Sequence, residues 1–460
     1  MTSQEIVIKL QKDGDSILGG IIANVIKDSN SELNRLQKNY DKYLGEVPIK
    51  SRPVIDKADK SIHNKLANDY RGDIVDQIKG FVFGEQIKVK YPDDVGSKLI
   101  QDFLIRCSMD SLDTELAERM LATSKGTRLF FIDKGGEVRA TNTNPAETIL
   151  VKNNTTDEAD YGLIFYTYYV VNPVSGRSKK TIRAEWYDKE NIHYFIKDGG
   201  KYIRDTGVVF EDGELAELQN PQPHMFKFVP ICEFVPNTRN QPAYYKAESL
   251  IDGYDEALSS WLDEVMEFRN AYLKATGGEI DEKERLAMRK SRVINLPDTD
   301  ADIDFITKDI SPDYIKGLLN IMDDNIYKST KTVNMNSEKF SGGGAESGEA
   351  RKWKLLQLVF EGIVIEKFFK KGLMMQYKIV SSAWNLVTTK VDPLKLEFEF
   401  VRTLPVDLLY AAEVMEKFWS RLPINVIYAL MPFIDDVDKV LGDLKAEKEE
   451  FDLDDDEDLK

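Results

Sequence analysis

The stretch SEKFSGGGAESGEARKWKLL, Ser337 to Leu356, sets three glycines, Gly342 to Gly344, ahead of a predicted long helix. A glycine-rich turn feeding a helix N-terminus is a ready phosphate cradle. The Walker form needs G-x-x-x-x-G-K-[ST], with the lysine on the outer phosphates and the hydroxyl on magnesium. Gly343 and Gly348 have that spacing, but Glu349 and Ala350 follow. A carboxylate at that point repels phosphate and suits the positive end of the helix dipole instead. Ser347 is the natural N-cap. With Lys339, Phe340, Ser341 and Glu346, the segment is a polar loop between two helices, not a phosphate clamp.

A second candidate is DTDADIDFITKD, Asp298 to Asp309. Acids fall at positions one, three, five, seven and twelve of a calcium-loop frame. Position six is Ile303 where the sharp turn needs glycine, and Asp309 is a methylene shorter than the bidentate glutamate. The favoured reading is a half-buried strand, with Ile303 and Phe305 on one face and Asp302 and Asp304 on the other. The alternative is an acidic metal site in a DNA-processing enzyme. His63, His193 and His224 lie in separate segments without ligand spacing and read as structural. No G-x-S-x-G, H-E-x-x-H or paired C-x-x-C occurs, and Pro92-Asp93 and Pro297-Asp298 lack the downstream partner of a nuclease core. The residues therefore give no support for catalysis, a metal or a cofactor. Lys283, Arg285, Arg289, Lys290 and Arg292 form the clearest basic cluster, either a solvated surface or a docking patch.

The elements that must position these residues follow from pattern. The 460 residues suffice for about three domains. A net charge of −17 argues against a DNA-coating protein, since duplex binding rests on phosphate neutralisation. Cys107 and Cys232, far apart, suggest no disulfide framework or zinc ribbon. Neither a signal peptide nor a membrane span is predicted. Residues up to about 45 read as helical, with Ser31 as a candidate cap, and a further helix within 60–84 closes at Gly84. From about 125 to 240, alternating segments broken by Gly-Gly and Asn-Pro predict antiparallel strands. Helices are expected from Ser249 to about Thr276, from Pro312 to about Val333, and from near Gly348 to about Trp384. The strand KLEFEFV, two or three helices and a solvated acidic tail complete the chain.

The long helices are the most unusual feature. Ile251, Tyr254, Leu258, Trp261, Leu262, Val265 and Tyr272 follow a helical period, with Asp252, Asp255, Glu256 and Asp263 opposite. Ile315, Leu318, Leu319, Met322 and Ile326 form the expected stripe of the next helix. Such a hairpin is ordinarily core. Here it brackets an insert of about thirty residues and leads into the glycine loop, which suits a protruding stalk.

NDYRGDIVDQIKGFVFGEQI, VPICEFVPN, ESLIDGYDEALSSWLDEVMEF and SGEARKWKLLQLVFEGIVIEKFFKKGL occur in that order. By these segments, from about Asn64 to about Pro432, the chain resembles the portal (head–tail connector) proteins of tailed bacteriophages, in particular those of long-tailed phages of Gram-positive bacteria. The resemblance implies a mainly helical α+β portal fold. Its parts would be an N-terminal arm (1–29), a wing (30–247), stem helices (248–276 and 312–333) and a clip (277–311). A tunnel loop (334–348), a long wing helix and strand (349–403), crown helices (404–447) and an acidic tail (448–460) would follow. It further implies a non-enzymatic ring of about twelve subunits at the capsid portal vertex of the virion, assembled in host cytoplasm. Double-stranded DNA would pass through it. Terminase and later a head-completion adaptor would dock at the clip patch, beside major capsid and scaffolding proteins. The loop from Lys339 to Glu346 would line the tunnel. Ile251, Leu258, Trp261, Leu262, Leu318 and Met322 would pack stems between subunits.

Overall fold

A computed structural model describes residues 1–53, 63–171, 178–211, 214–268, 272–276, 283, 302–306, 312–335, 355–387 and 391–402, and, near the C-terminus, 415–419, 421–429, 431, 434, 437 and 440–445. Helix α1 (Ser3–Asp13) opens with a capping box in which Thr2 and Glu5 satisfy each other's backbone amides. Helix α2 (Leu18–Tyr43) runs unbroken through Ser31, which is therefore an interior residue and not a cap. Helix α3 (Tyr70–Phe83) starts ten residues later than Lys60, where Asp69 accepts the Gly72 amide. It ends at Gly84 as expected. In α4 (Asp94–Arg106) the cap is Asp93, so the Pro92-Asp93 dipeptide serves a helix start. Helix α5 (Met109–Thr123) follows directly.

The strands of the middle region pair antiparallel throughout. Those of one sheet are β2 (Gly126–Ile132), β3 (Val138–Thr143) and β12 (Ile231–Phe234), in the order β12-β2-β3. The larger sheet holds β4 (Thr148–Lys152), β5 (Ala159–Val171), β6 (Ser178–Tyr187), β7 (Asn191–Asp198) and β11 (Gln222–Pro223), in the order β11-β7-β6-β5-β4. Its sixth strand, β8 (Lys201–Arg204), pairs with β7. A hairpin of β9 (Val208–Glu211) and β10 (Glu214–Glu217) stands apart. Alternation produced this meander because each strand has one apolar face to bury.

Two cores result. Beneath the larger sheet, Ile6, Leu18 and Ile22 pack on Leu163, Trp186 and Phe195. Helix α2 approaches so closely that a Cβ on Gly19 would sit 2.0 Å from the Tyr202 carbonyl oxygen. The main core gathers α3, α4, α5, the smaller sheet and the long helix Leu356–Val387 around Phe83, Phe234 and Phe369. Burying each of those rings stabilises by about 1.5–3 kcal/mol. Arg128, fully buried, joins β2 to α5 through Asp113 at 2.8 Å and to the long helix through Gln376 at 2.8 Å.

Two remote pairings close the chain on itself. Strand β1 (Lys88–Lys90) pairs with Glu397–Glu399, within the predicted KLEFEFV strand. Helix α6 (Glu248–Phe268) stops short of the expected Thr276. Residues Tyr272–Thr276 are instead strand β13, paired antiparallel with β14 (Asp302–Ile306). Lys274 is the register partner of Asp304. The Asp302–Phe305 segment is thus a paired strand. Helix α7 (Pro312–Thr330) carries the expected N-terminal proline. Helix α8 (Leu356–Val387) and the short α9 (Ile424–Ala429) complete the described helices named here. The arrangement is α+β: helices in two stretches around a central antiparallel region.

Candidate functional site: the paired long helices

Helices α6 and α7 lie against each other. A Cβ on Gly253 would meet the Met322 methyl at 3.1 Å, so glycine there permits the close approach. Inward residues of α7 are Leu319 and Ile326, with Ile315 and Met322 half-buried. Tyr70, in the first turn of α3, lies against both helices, edge-on to Tyr254 at 5.2 Å and to Tyr327 at 5.9 Å. Its hydroxyl donates to Asp323 at 2.8 Å, and Tyr327 donates to Asp73 at 2.6 Å. Burial raises both phenols well above their ordinary range, so both are neutral donors.

The buried face of α6 is polar. Ile251, Asp255, Ser259 and Asp263, four residues apart, are its buried positions. The acidic stripe seen in sequence receives an extended segment running antiparallel to the helix. Asn64 donates its backbone and side-chain amides to Asp263 Oδ1, both at 2.7 Å. Leu66 donates to Ser259 at 2.9 Å, and Asn68 donates twice to Asp255 Oδ1 at 3.0 and 2.8 Å. The regularity has a geometric cause. Two residues of extended chain advance about 6.6 Å, close to the roughly 6 Å of four helical residues.

Arginines close both ends of this strip. Arg52 reaches Asp263 at 2.7 Å, Ser260 at 2.8 Å and Glu256 at 2.9 Å. Arg71 reaches Asp252 at 2.6 Å. For Asp263, burial pushes the carboxyl up, but the Asn64 and Arg52 donors outweigh it and hold it below the usual range. For Asp255, burial prevails over the Asn68 donors and raises it.

With this largely polar face turned inward, several apolar residues in the second half of α6 are left partly uncovered. Leu258, Trp261 and Leu262 are half-buried and Val265 is exposed. On α7, Tyr314, Leu318 and Ile321 form an exposed stripe at spacings of four and three, Ile321 being 61% exposed. Leu318 thus belongs to the outer stripe, not with Ile315 and Leu319. Tyr314 and Ile321 escaped the sequence reading, though their i, i+4, i+7 spacing is a second apolar face. Ile251 is wholly buried in its own chain.

Past α7 the chain is tied down. Lys331 has φ of 61° and pairs with Glu361. The Val333 amide donates to Gln77 at 3.1 Å, and Asn334 donates to Asp323 at 2.6 Å. The glycine loop beyond, with Lys339, Phe340, Ser341, Gly342 to Gly344 and Glu346, lies outside the described residues. So do Arg285, Arg289, Lys290 and Arg292 of the basic cluster, and Asp298 and Asp309. Lys283 is described and exposed.

The fold brings His193 and His224 together about Asp188. His193 Nε2 lies 2.9 Å from its carboxylate. His224 Nε2 donates to its carbonyl at 2.9 Å and Nδ1 accepts from the Phe226 amide. Both have structural partners. Among the described residues, no group of three His, Cys, Asp or Glu side chains is arranged to hold a metal ion. No described helix is long and apolar enough to cross a membrane.

Similarity to known proteins extends over most of the chain. The family described as "Phage portal protein, SPP1 Gp6-like" matches residues 22–452. The portal protein of Bacillus phage SPP1 is 27% identical over 396 residues, spanning 81% of this chain and 74% of that protein. The match takes in the polar strip, both long helices, the glycine loop and the long helix α8. The chain belongs to the phage portal protein family and is a phage portal protein.

Proposed function

We propose that this chain assembles head to tail into a closed ring at one capsid vertex, a conduit through which double-stranded DNA is packaged and ejected. The observation that carries the reading is the apolar surface left on α6 and α7. The polar face of α6 is consumed within the chain and α7 buries Leu319 and Ile326, while Trp261, Leu262, Val265, Tyr314, Leu318 and Ile321 are left partly or largely uncovered. Heterologous contacts that close by rotation would cover such stripes.

In this reading, residues 30–247 are the wing and α6 and α7 the stem. Residues 277–311, with the Lys283–Arg292 cluster, are the clip where terminase and then an adaptor dock. Residues 334–348 are the tunnel loop, and those after about 404 the crown. The net charge of −17 fits a channel that repels the phosphate backbone and so offers DNA no deep electrostatic trap. The conduit catalyses no reaction and takes no cofactor, its energy coming from a separate packaging motor.

Light scattering across a size-exclusion peak, with negative-stain images of the same fraction, tests the reading. Rings of about a dozen subunits with a central hole are expected. A species that stays monomeric even with capsid and scaffolding proteins present would overturn it.

A further inference from the structure

One end of the larger sheet gathers cations. Where β5 stops, β6 starts and β7 turns into β8 lie Lys179, Lys180, Lys197, Lys201 and Arg204. Register holds them together. Lys180 is paired with Tyr169 and Lys179 with Val170, while Lys197 and Asp198 are paired with Tyr202 and Lys201. The Thr181 hydroxyl donates to the Lys197 carbonyl at 2.6 Å, which ties β6 to β7 at the same level. Alternation sets Lys180, Lys197 and Arg204 on one face of this end and Lys179 and Lys201 on the other.

Little of this charge is spent within the fold. Lys179 pairs with Asp198 at 3.1 Å, both exposed, and Arg204 lies 3.8 Å from exposed Asp15. Lys197 lies over the Tyr202 ring, its Nζ 5.9 Å from the centre. Lys180 and Lys201 are exposed and carry no ion pair among the described residues. Tyr169 and Ile203, both exposed, stand among these lysines. A chain of net charge −17 thus presents a local surface of ammonium groups beside uncovered apolar area. Such a surface is complementary to a polypeptide that carries carboxylates and apolar side chains together.

The sequence supplies a matching polypeptide. FDLDDDEDLK, Phe451 to Lys460 and outside the described residues, holds six acids in ten positions, interleaved with Phe451, Leu453 and Leu459. Residues 446–460 follow the last described residue, Lys445. Extended, they span up to about 50 Å, so the tether does not confine the acids to the surroundings of Lys445. A DNA duplex would offer phosphates but no apolar side chain to Tyr169 and Ile203, and the net negative charge of the chain opposes a free polyanion. A segment on the same chain meets the surface at an effective concentration that a free competitor must exceed. We propose that the cationic end of the larger sheet is the docking surface for the chain's own acidic segment, Phe451 to Lys460.

Fluorescence anisotropy of a labelled FDLDDDEDLK peptide titrated with the full chain tests this. The parent is compared with a variant whose own segment is neutralised by Asp454→Asn, Asp455→Asn and Asp456→Asn. The neutralised variant should bind the peptide saturably, and more weakly as ionic strength rises. The parent, with its own segment in place, should bind it at least about tenfold more weakly. Adding Lys180→Glu and Lys201→Glu to the neutralised variant should cost about tenfold in affinity. Lys38→Glu with Lys98→Glu, an equal change of charge on the far end of α2 and on α4, should leave it within about twofold. No saturable binding by the neutralised variant would overturn the proposal, as would equal affinity of the two glutamate pairs. Equal affinity of the parent and the neutralised variant would overturn it too, because the chain's own segment would then not occupy the surface. A short DNA duplex that binds the neutralised variant more tightly than the peptide would assign this end to nucleic acid instead. None of these outcomes depends on whether the rings of the preceding section form.

Discussion

Asp263 and Asp255 sit two helical turns apart on the same buried face, yet their charges behave oppositely. Asp263 accepts from Arg52 and both Asn64 amides, while Asp255 accepts only from Asn68 among the described residues, with the Arg71 charge nearby but not hydrogen-bonded to it. Asp263, held low, contributes stability at neutral pH that is lost as pH falls below about 3.9 and through its folded value. Asp255, held high, works the other way. Its penalty is absent below the unfolded value and grows as pH rises toward the folded one. Asp263→Ala leaves both Asn64 donors without their acceptor and takes one carboxylate from Arg52, and is expected to lose about 2–3 kcal/mol at pH 7. Asp255→Asn keeps an acceptor for Asn68 and is expected to stay within about 1 kcal/mol of the parent at pH 7. Its advantage should shrink as pH falls toward 4. Urea unfolding of both variants at pH 7 and pH 4 measures this, and equal losses at pH 7 would refute the assignment. Sequence showed the acids and their helical spacing. It did not show that Asn64, Leu66 and Asn68 would lie across them, because a segment about 190 residues away leaves no local trace.

At the scale of elements, periodicity was legible wherever one face met a core. The N-terminal helices, the antiparallel meander and the α7 start at Pro312 follow directly from spacing and capping. Two misreadings have the same origin. Ser31 inside α2 has the composition of a cap, but α1 and α2 pack continuously on the larger sheet and carry the helix through it. Tyr272–Thr276 continues a helical pattern, yet pairs with Asp302–Ile306 as strand, because tertiary pairing overrides a weak local preference. The inner and outer stripes of α7 make a sharper prediction. Ile326→Ala, at a fully buried position, is expected to destabilise the subunit by about 2–5 kcal/mol in denaturant unfolding. Leu318→Glu with Ile321→Lys, on the exposed stripe, should leave subunit unfolding within about 0.5 kcal/mol per site and abolish ring formation. Rings that persist in that double variant would place the subunit interface elsewhere.

For the whole molecule, the polar strip and the latch past α7 bind three parts of the chain into one unit: the extended segment before α3, the paired long helices, and the residues entering the glycine loop. Val333 on Gln77 and Lys331 on Glu361 give that loop a fixed point of departure. Replacing Gly342, Gly343 and Gly344 with alanine narrows the backbone states open to the loop and alters none of the contacts described here. The variant is expected to form rings normally and to lower DNA packaging or retention. Normal phage yield from it would count against a tunnel role for Lys339 to Glu346.

Some conclusions needed nothing beyond the order of residues. The glycine loop fails as a nucleotide cradle because Glu349 replaces the required lysine. The Asp298–Asp309 segment lacks the glycine of a calcium turn, and the ordered segments from Asn64 to Pro432 carry the likeness to portal proteins. These are matters of residue type at fixed spacing, which chain order alone determines. Which face of α6 turns inward was decided only in three dimensions. Hydrophobic patterning predicts that an apolar stripe is buried, and in the single subunit it is, on α7, through Leu319 and Ile326. On α6 the extended segment from Asn64 to Asn68 occupies the inward face with hydrogen bonds, which leaves Trp261 and Leu262 half-buried and Val265 exposed. Burial depends on what the rest of the chain brings to a face, and the period of that face alone does not contain it.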